Sequence, residues 1–262
     1  MALIHVNYFS PVLGMQRAMD VILPQRENGV GQKAEKAAGK IPVLYLLHGG
    51  SDDHTIWQRR TSIERYALER GLAVIMPASD VGFYVDMKYG YDFYLALSEE
   101  LPGIVHEFFP NLSTRREDTF IAGLSMGGFG ALKMAILHPE RYAAAASLSG
   151  MVDLHWAYPQ GEMPVSEEFF YNYGSKSEME GSVNDIPFQM EKLIDSGKPM
   201  PKFYQAVGTE DFLYEINVQF RDRFQPRCDL TYTERPGTHE WGFWDEEIQK
   251  VIGWLPIRKE EE

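Results

Sequence analysis

Apolar runs alternate with amphipathic stretches over most of the chain. Residues 3–9 are strand-like and residues 18–23 alternate apolar and polar positions, which predicts a hairpin or meander at a sheet edge. Residues 25–40 are polar and rich in Gly, Ala and Lys, and read as an exposed loop. Residues 42–47 (PVLYLL) form the unbroken apolar run that a strand buried on both faces requires. Residues 62–70 read as a helix closed by Gly71, and residues 72–76 as a second buried strand stopped by Pro77. Residues 92–109 carry a helical period, with Pro102 as a kink or a break. Residues 119–122 form a short strand, and residues 131–137 an apolar helix. Further strands are expected over 143–148, 202–207 and 230–234. Helices follow the last two, around 215–224 and 241–255.

Residues 151–200 interrupt this rhythm. They hold Trp156, Tyr158, Phe169, Phe170, Tyr171 and Tyr173 among several prolines and glycines. The segment reads as an insertion of short helices, a partial lid over a site. Core aromatics in an irregular connection are the plainer alternative. Residues 258–262 form a charged tail expected to fray. Strand–helix alternation predicts an α/β fold with a mostly parallel central sheet and helices on both faces. The pattern runs without a linker, so residues 1–262 are expected to form one domain.

Composition narrows the function classes. The chain has 262 residues, 44% hydrophobic and 24% charged, as in soluble globular proteins. A transmembrane helix needs roughly 18 consecutive apolar residues, and no run approaches that. The first residues lack the basic and apolar regions of a signal peptide. Cys228 is the single cysteine, which excludes an internal disulfide and a cysteine-based zinc site. A reducing, cytoplasmic location is expected. The net charge of −13 argues against nucleic acid and anionic membranes as partners, because no basic excess exists to meet phosphates. No acidic cluster has calcium-loop spacing, and no glycine-rich loop has a nucleotide-binding pattern. No metal or organic cofactor is expected. A small molecule is the expected partner, and homo-oligomers are left open, being common among soluble enzymes.

The candidate chemistry lies where strands end. Gly123-Leu124-Ser125-Met126-Gly127 is a G-x-S-x-G motif between a strand and a helix. A sharp turn there lifts a serine hydroxyl out of the sheet, and both flanking positions must be small. A helix N-cap serine beside packing glycines is the bland alternative. Ester chemistry also needs N–H donors aimed at the oxyanion. The residue after the nucleophile, Met126, supplies one. The turn His48-Gly49-Gly50-Ser51 supplies the other, from Gly50 or the adjacent Ser51, with His48 as a structural histidine. Of seven histidines, only His239 follows the last strand, where the base belongs in the order serine, acid, histidine. The acid belongs between them. Asp211 is preferred because Phe212-Leu213 can anchor its loop, with Glu210 and Asp153 as alternatives.

His48-Gly49-Gly50, GLSMGG at 123–128, GTEDFLYE at 208–215 and GTHEWGFWDEEI at 237–248 together resemble the esterase D / tributyrin esterase family of the α/β-hydrolase superfamily. The similarity runs from about residue 3 to residue 255, and the small tributyrin and acetyl esterases are the nearest branch. The resemblance implies Ser125 as nucleophile, Asp211 as acid, His239 as base, and Gly50 and Met126 as oxyanion donors. It implies hydrolysis of short-chain acyl esters, acetyl to butyryl, through an acyl-enzyme. Feruloyl esterases, S-formylglutathione hydrolases and mycolyltransferases share the family, so aromatic-acyl, thioester and acyl-transfer activities are the alternatives. A binding relative that kept only the fold is a further one. S-formylglutathione hydrolases usually carry Ser-Gly-Leu-Thr-Cys where this chain has His48 to Asp52, which counts against the thioester.

Overall fold

The computed structural model describes residues 1–25 and 39–257. Most of the loop expected over 25–40, and the tail 258–262, lie outside the described residues. Eight strands form one sheet: β1 (Ala2–Ser10), β2 (Met15–Leu23), β3 (Val43–Leu47), β4 (Ala73–Pro77), β5 (Thr119–Leu124), β6 (Ala144–Leu148), β7 (Lys202–Gly208) and β8 (Leu230–Arg235). Their spatial order is β1-β2-β4-β3-β5-β6-β7-β8. β1 pairs antiparallel with β2, and β2 with β4. Every other pairing is parallel. The hairpin expected at an edge is β1–β2, and the α/β sheet is mostly parallel as expected.

The period of two along a strand explains the layering. In β3, Val43, Tyr45 and Leu47 face one apolar cluster. Leu44 and Leu46 face a second cluster on the opposite side. In β4, Ala73 and Ile75 divide from Val74 and Met76 in the same way. The first face is covered by the helices Met126–Leu137, Ile186–Ser196 and Tyr214–Phe224. The second is covered by Ile56–Arg60, Ile63–Leu68 and Trp241–Trp254. Burying each large aliphatic or aromatic side chain contributes about 1.5–3 kcal/mol.

Three local results refine the expectations. A five-residue helix, Ile56–Arg60, precedes the one expected from residue 62, which itself spans Ile63–Leu68. The stretch around Pro102 does not break into separate helices. Phe93–Leu95 runs into a π-helical turn, Ala96–Glu100, and then into Leu101–Phe108. Proline has no N–H to give and its ring crowds the carbonyl one turn back, and a widened turn accommodates both. Residues 151–200 do hold short helical pieces: Leu154–Ala157, Glu167–Tyr173 and Lys176–Met179, before the longer Ile186–Ser196. Their aromatics divide: Tyr158, Phe169 and Tyr173 are buried, whereas Trp156 and Tyr171 are exposed.

Because β3, β5, β6, β7 and β8 run parallel, the segments that leave their C-terminal ends share one edge of the sheet. Such an edge is where open α/β sheets place ligands. No helix of the described residues is long and apolar enough to cross a membrane.

Candidate active site

Ser125 stands between β5 and the helix Met126–Leu137 with φ 51° and ψ −115°. A side-chain-bearing residue in such a conformation stores strain of order 1–3 kcal/mol, held by its surroundings. Here the Ser125 N–H donates to the Leu148 carbonyl at 2.8 Å, and the Ser125 carbonyl accepts from Phe129 N–H and Met151 N–H. The flanking glycines are steric necessities. A Cβ on Gly123 would lie 2.3 Å from the Gly127 carbonyl oxygen. A Cβ on Gly127 would lie 2.5 Å from the Leu47 carbonyl oxygen.

His239, in the loop between β8 and the helix Trp241–Trp254, reaches Ser125 Oγ with Nε2 at 2.9 Å. Its Nδ1 lies 2.9 Å from Asp211 Oδ2 and 3.0 Å from Oδ1. A carboxylate only accepts, so Nδ1 carries the proton and Nε2 presents its lone pair to the serine hydroxyl. The Asp211 side chain is inaccessible to solvent, and the His239 side chain is 18% exposed. Asp211 Oδ1 also accepts the Leu213 N–H at 2.9 Å. The arrangement can pass a proton from Ser125 to His239 while a buried negative charge faces the imidazole.

The two alternative acids are engaged elsewhere. Glu210 is exposed, and its carboxylate accepts the Gly237 N–H. That N–H, with the Thr209 side chain, holds the Glu210 carboxyl below the usual glutamate range. Asp153 accepts the backbone N–H of His155 at 2.9 Å and faces its Nδ1 at 2.8 Å. Of the Phe212-Leu213 pair expected to anchor the Asp211 loop, only Leu213 is buried. Leu213 is 1% exposed, but Phe212 is 60% exposed. Phe212 does not bury beside Leu213; it lies on the His239 ring, with centroids 4.6 Å apart. Trp244 meets the same ring edge-on at 4.9 Å.

Gly50 is exposed at the turn after β3, and Met126 opens the helix after Ser125. N–H groups in a first helical turn have no intrahelical acceptor. The adjacent Ser51 has φ 63°, so the turn is tight on that side as well. His48 is 1% exposed. Its Nε2 accepts the Ser79 N–H at 2.9 Å and its Nδ1 faces the Gly49 carbonyl at 2.8 Å. Both bonds are satisfied by the neutral ring protonated at Nδ1, and burial pushes the His48 pKa down.

Asn217 is a supporting residue that sequence reading missed. It is fully buried, and its Nδ2 donates to the carbonyls of Gly150 and Leu213, both at 2.9 Å. It thereby joins the loop after β6 to the loop that carries Asp211. The only signal was a polar residue beside Ile216 on an amphipathic helix.

A groove of about 370 Å3 adjoins the acid loop and is lined by Trp156, Asp211, Phe212, Tyr214, Glu215 and Gln219, among others. A recess of about 670 Å3 near Met1 and Ile63 shares no residue with the site. Among the described residues, no group of three or more His, Cys, Asp or Glu side chains is placed to hold a metal ion.

A strained serine at a strand-to-helix turn on a mostly parallel sheet defines a serine hydrolase of the α/β-hydrolase class. A family model described as "Putative esterase" matches residues 10–255, and the chain belongs to that family. It is similar to the acetyl esterase of Caldicellulosiruptor saccharolyticus, 28% identical, over 97% of this chain and 98% of that protein. Among solved structures, it is similar to a substrate-bound, fluorophosphonate-binding serine hydrolase of Staphylococcus aureus. That likeness has 35% identity and a TM-score of 0.85, covering 97% of this chain and 98% of the other. An S-formylglutathione hydrolase of the same organism follows, with 34% identity, a TM-score of 0.83 and coverage of 97% and 98%. The chain is a serine esterase, a carboxylic ester hydrolase.

Proposed function

We propose that the chain hydrolyses short-chain acyl esters, acetyl to butyryl, with Ser125 as nucleophile, His239 as general base and Asp211 as the acid that orients it. The observation that carries this reading is the Ser125–His239–Asp211 relay, with contacts of 2.9 Å at each end of the imidazole. Ser125 Oγ attacks the ester carbonyl as His239 Nε2 takes its proton. The N–H groups of Gly50 and Met126 stabilise the oxyanion. His239 then protonates the leaving alcohol, and water repeats the sequence on the acyl-enzyme. In this reading the chain is one domain, with residues 151–200 as a partial lid and no large cap to hold a long acyl chain. A cytoplasmic location belongs to the same reading; the single cysteine, Cys228, leaves no pair for an internal disulfide.

Two observations each favour another reading of substrate. Exposed Phe212, on the His239 ring, and exposed Trp156, with ring centroids 6.0 Å from Phe212, offer an aromatic surface for a feruloyl-type group. Similarity to the staphylococcal S-formylglutathione hydrolase supports a thioester. One experiment separates these: p-nitrophenyl esters from acetyl to octanoyl, methyl ferulate and S-formylglutathione, assayed on the wild type and on Ser125→Ala. The proposal expects the highest kcat/KM from acetyl to butyryl, and loss of turnover in the folded variant. A kcat/KM that climbs to octanoyl, or near-normal turnover without the serine hydroxyl, overturns it. Product formation that depends on an added alcohol acceptor marks an acyltransferase instead.

A further inference from the structure

The span that follows β4 contains three non-glycine residues in the left-handed region: Asp80 at φ 48°, Phe83 at φ 47° and Tyr84 at φ 54°. Side chains rarely adopt this conformation, and it persists only where the surroundings impose it. Around Tyr84 those surroundings are visible. The residue is fully buried. Its ring lies against the nucleophile-bearing helix at Gly130, where a Cβ would stand 2.5 Å from Tyr84 Cγ. Its carbonyl accepts from Lys133 Nζ at 3.2 Å, one turn further along the same helix. Its hydroxyl donates to the His48 carbonyl at 2.9 Å.

That last contact bears on the reaction. The His48 carbonyl belongs to the peptide that enters Gly49, one peptide before the Gly50 N–H. The same span also holds the other side of His48, because the Ser79 N–H donates to its ring. The turn bearing Gly50 is therefore gripped at ring and carbonyl by one loop, and that loop rests on the helix that carries Ser125.

We propose that Tyr84 is a positioning residue of the oxyanion hole: its hydroxyl fixes the His48–Gly49 peptide and with it the aim of the Gly50 N–H. The inference rests on the reading of Gly50 as an oxyanion donor. Tyr84 touches no substrate and acts only through the turn. Burial raises its pKa far above that of a free tyrosine, so the hydroxyl stays a donor across the working range of an esterase. Gly130 is part of the device, since any larger residue there displaces the ring.

A purely structural tyrosine and a positioning tyrosine differ in what their loss changes. Losing a whole oxyanion donor lowers kcat by about 10²–10³. A donor left in place but misaimed loses part of that, about ten- to a hundredfold. The loss falls on kcat and not on KM, because the donor acts on charge that develops in the transition state.

The test compares wild type, Ser125→Ala, Tyr84→Phe and Gly130→Ala on p-nitrophenyl acetate. A trifluoromethyl ketone, whose serine adduct carries an oxyanion, is the inhibitor. Phenylalanine keeps the ring against Gly130 and removes only the hydroxyl. The expected result for Tyr84→Phe is a kcat lower by about ten- to a hundredfold, a KM within about threefold, and a ketone Ki raised in step with the loss of kcat. Gly130→Ala shows the same signature, and it decides the matter alone if Tyr84→Phe does not fold. Wild-type kcat and Ki in the folded variant, even with a lowered Tm, overturn the proposal. Failure of the underlying reading looks different: Ser125→Ala would then remain active, or the ketone would not inhibit the wild type.

Discussion

Glu210 and Gly237 hold each other twice: the Glu210 N–H donates to the Gly237 carbonyl at 3.1 Å, and the Gly237 N–H donates to the Glu210 carboxylate at 2.5 Å. The loops after β7 and β8 are closed on each other by this pair. They pass so near that a Cβ on Gly208 would stand 2.1 Å from the Gly237 carbonyl oxygen. Two adjacent carboxylates therefore do different work. Glu210 joins the loops, and Asp211 faces the imidazole that the second loop delivers.

The first prediction separates these roles. Asp211→Asn can present an N–H where His239 Nδ1–H needs an acceptor, which favours the wrong tautomer, and kcat should fall by about 10³–10⁴. Glu210→Gln keeps an acceptor oxygen for the Gly237 N–H, so kcat should fall less than about fivefold. Steady-state kinetics of both variants on one short-chain ester at pH 8 checks this. A crippled Glu210→Gln beside an active Asp211→Asn would move the acid by one residue.

A second prediction contrasts two glycines. At Gly127, an added methyl would meet the Leu47 carbonyl oxygen at 2.5 Å and the His48 carbonyl oxygen at 2.6 Å. Both are backbone atoms of the strand end that leads to Gly50, and neither can swing aside. Gly127→Ala should lower Tm and cut kcat/KM by more than about a hundredfold, since small misplacements of reacting groups cost that much. Gly253, exposed in the helix Trp241–Trp254, has nothing within 4 Å of an added Cβ. Gly253→Ala should stabilise by about 0.5–1 kcal/mol with unchanged kinetics. Thermal melts and initial rates of the two variants decide it; equal behaviour would contradict the steric account.

These contrasts show which features the sequence could carry. PVLYLL had to be a doubly buried strand because both of its faces are apolar, and Val43–Leu47 is fully buried. The elbow was legible because sterics demand glycine at 123 and 127. His239 is the one histidine after the last strand, and it stands within hydrogen-bond distance of Ser125 and Asp211. Other features leave no such trace. The helix Ile56–Arg60 buries only two side chains, Ile56 and Trp57, too few to display a period. Neighbouring loop residues follow no periodicity, so nothing in Phe212-Leu213 says that one is buried and the other lies on the histidine ring. The left-handed backbone of Phe83 and Tyr84 is imposed by tertiary contacts, and their residue types give no sign of it. The aromatics of 151–200 divide between core and surface, which composition alone cannot resolve.

The last prediction concerns Lys133, the charged residue in an otherwise apolar buried helix. It is 1% exposed. Its Nζ donates to the Asn184 side-chain carbonyl at 2.7 Å and to the Tyr84 carbonyl at 3.2 Å, and stands 4.1 Å from the centre of the Tyr94 ring. Among the described residues no carboxylate contacts it; Asp86 acts only from further away, and burial pushes the ammonium pKa from 10.5 down to about 7. Between about 7 and 10.5 the unfolded chain therefore holds a proton that the folded chain has released. The unfolded state binds more protons in that window, so Lys133 makes stability rise with pH there, by at most about 1.4 kcal/mol per pH unit. Below pH 7 both states are protonated and the full cost of the buried charge is constant. Lys133→Met fills similar space and cannot titrate. The difference in unfolding free energy, wild type minus Lys133→Met, should be flat below about pH 6 and should climb between pH 7 and 9.5. Urea denaturation of both proteins across that range measures it, and groups that titrate alike in the two proteins cancel in the difference. A difference that stays flat up to pH 9.5 would mean that Lys133 keeps its proton in the folded protein, and that the two carbonyls and the Tyr94 ring suffice to hold a buried ammonium.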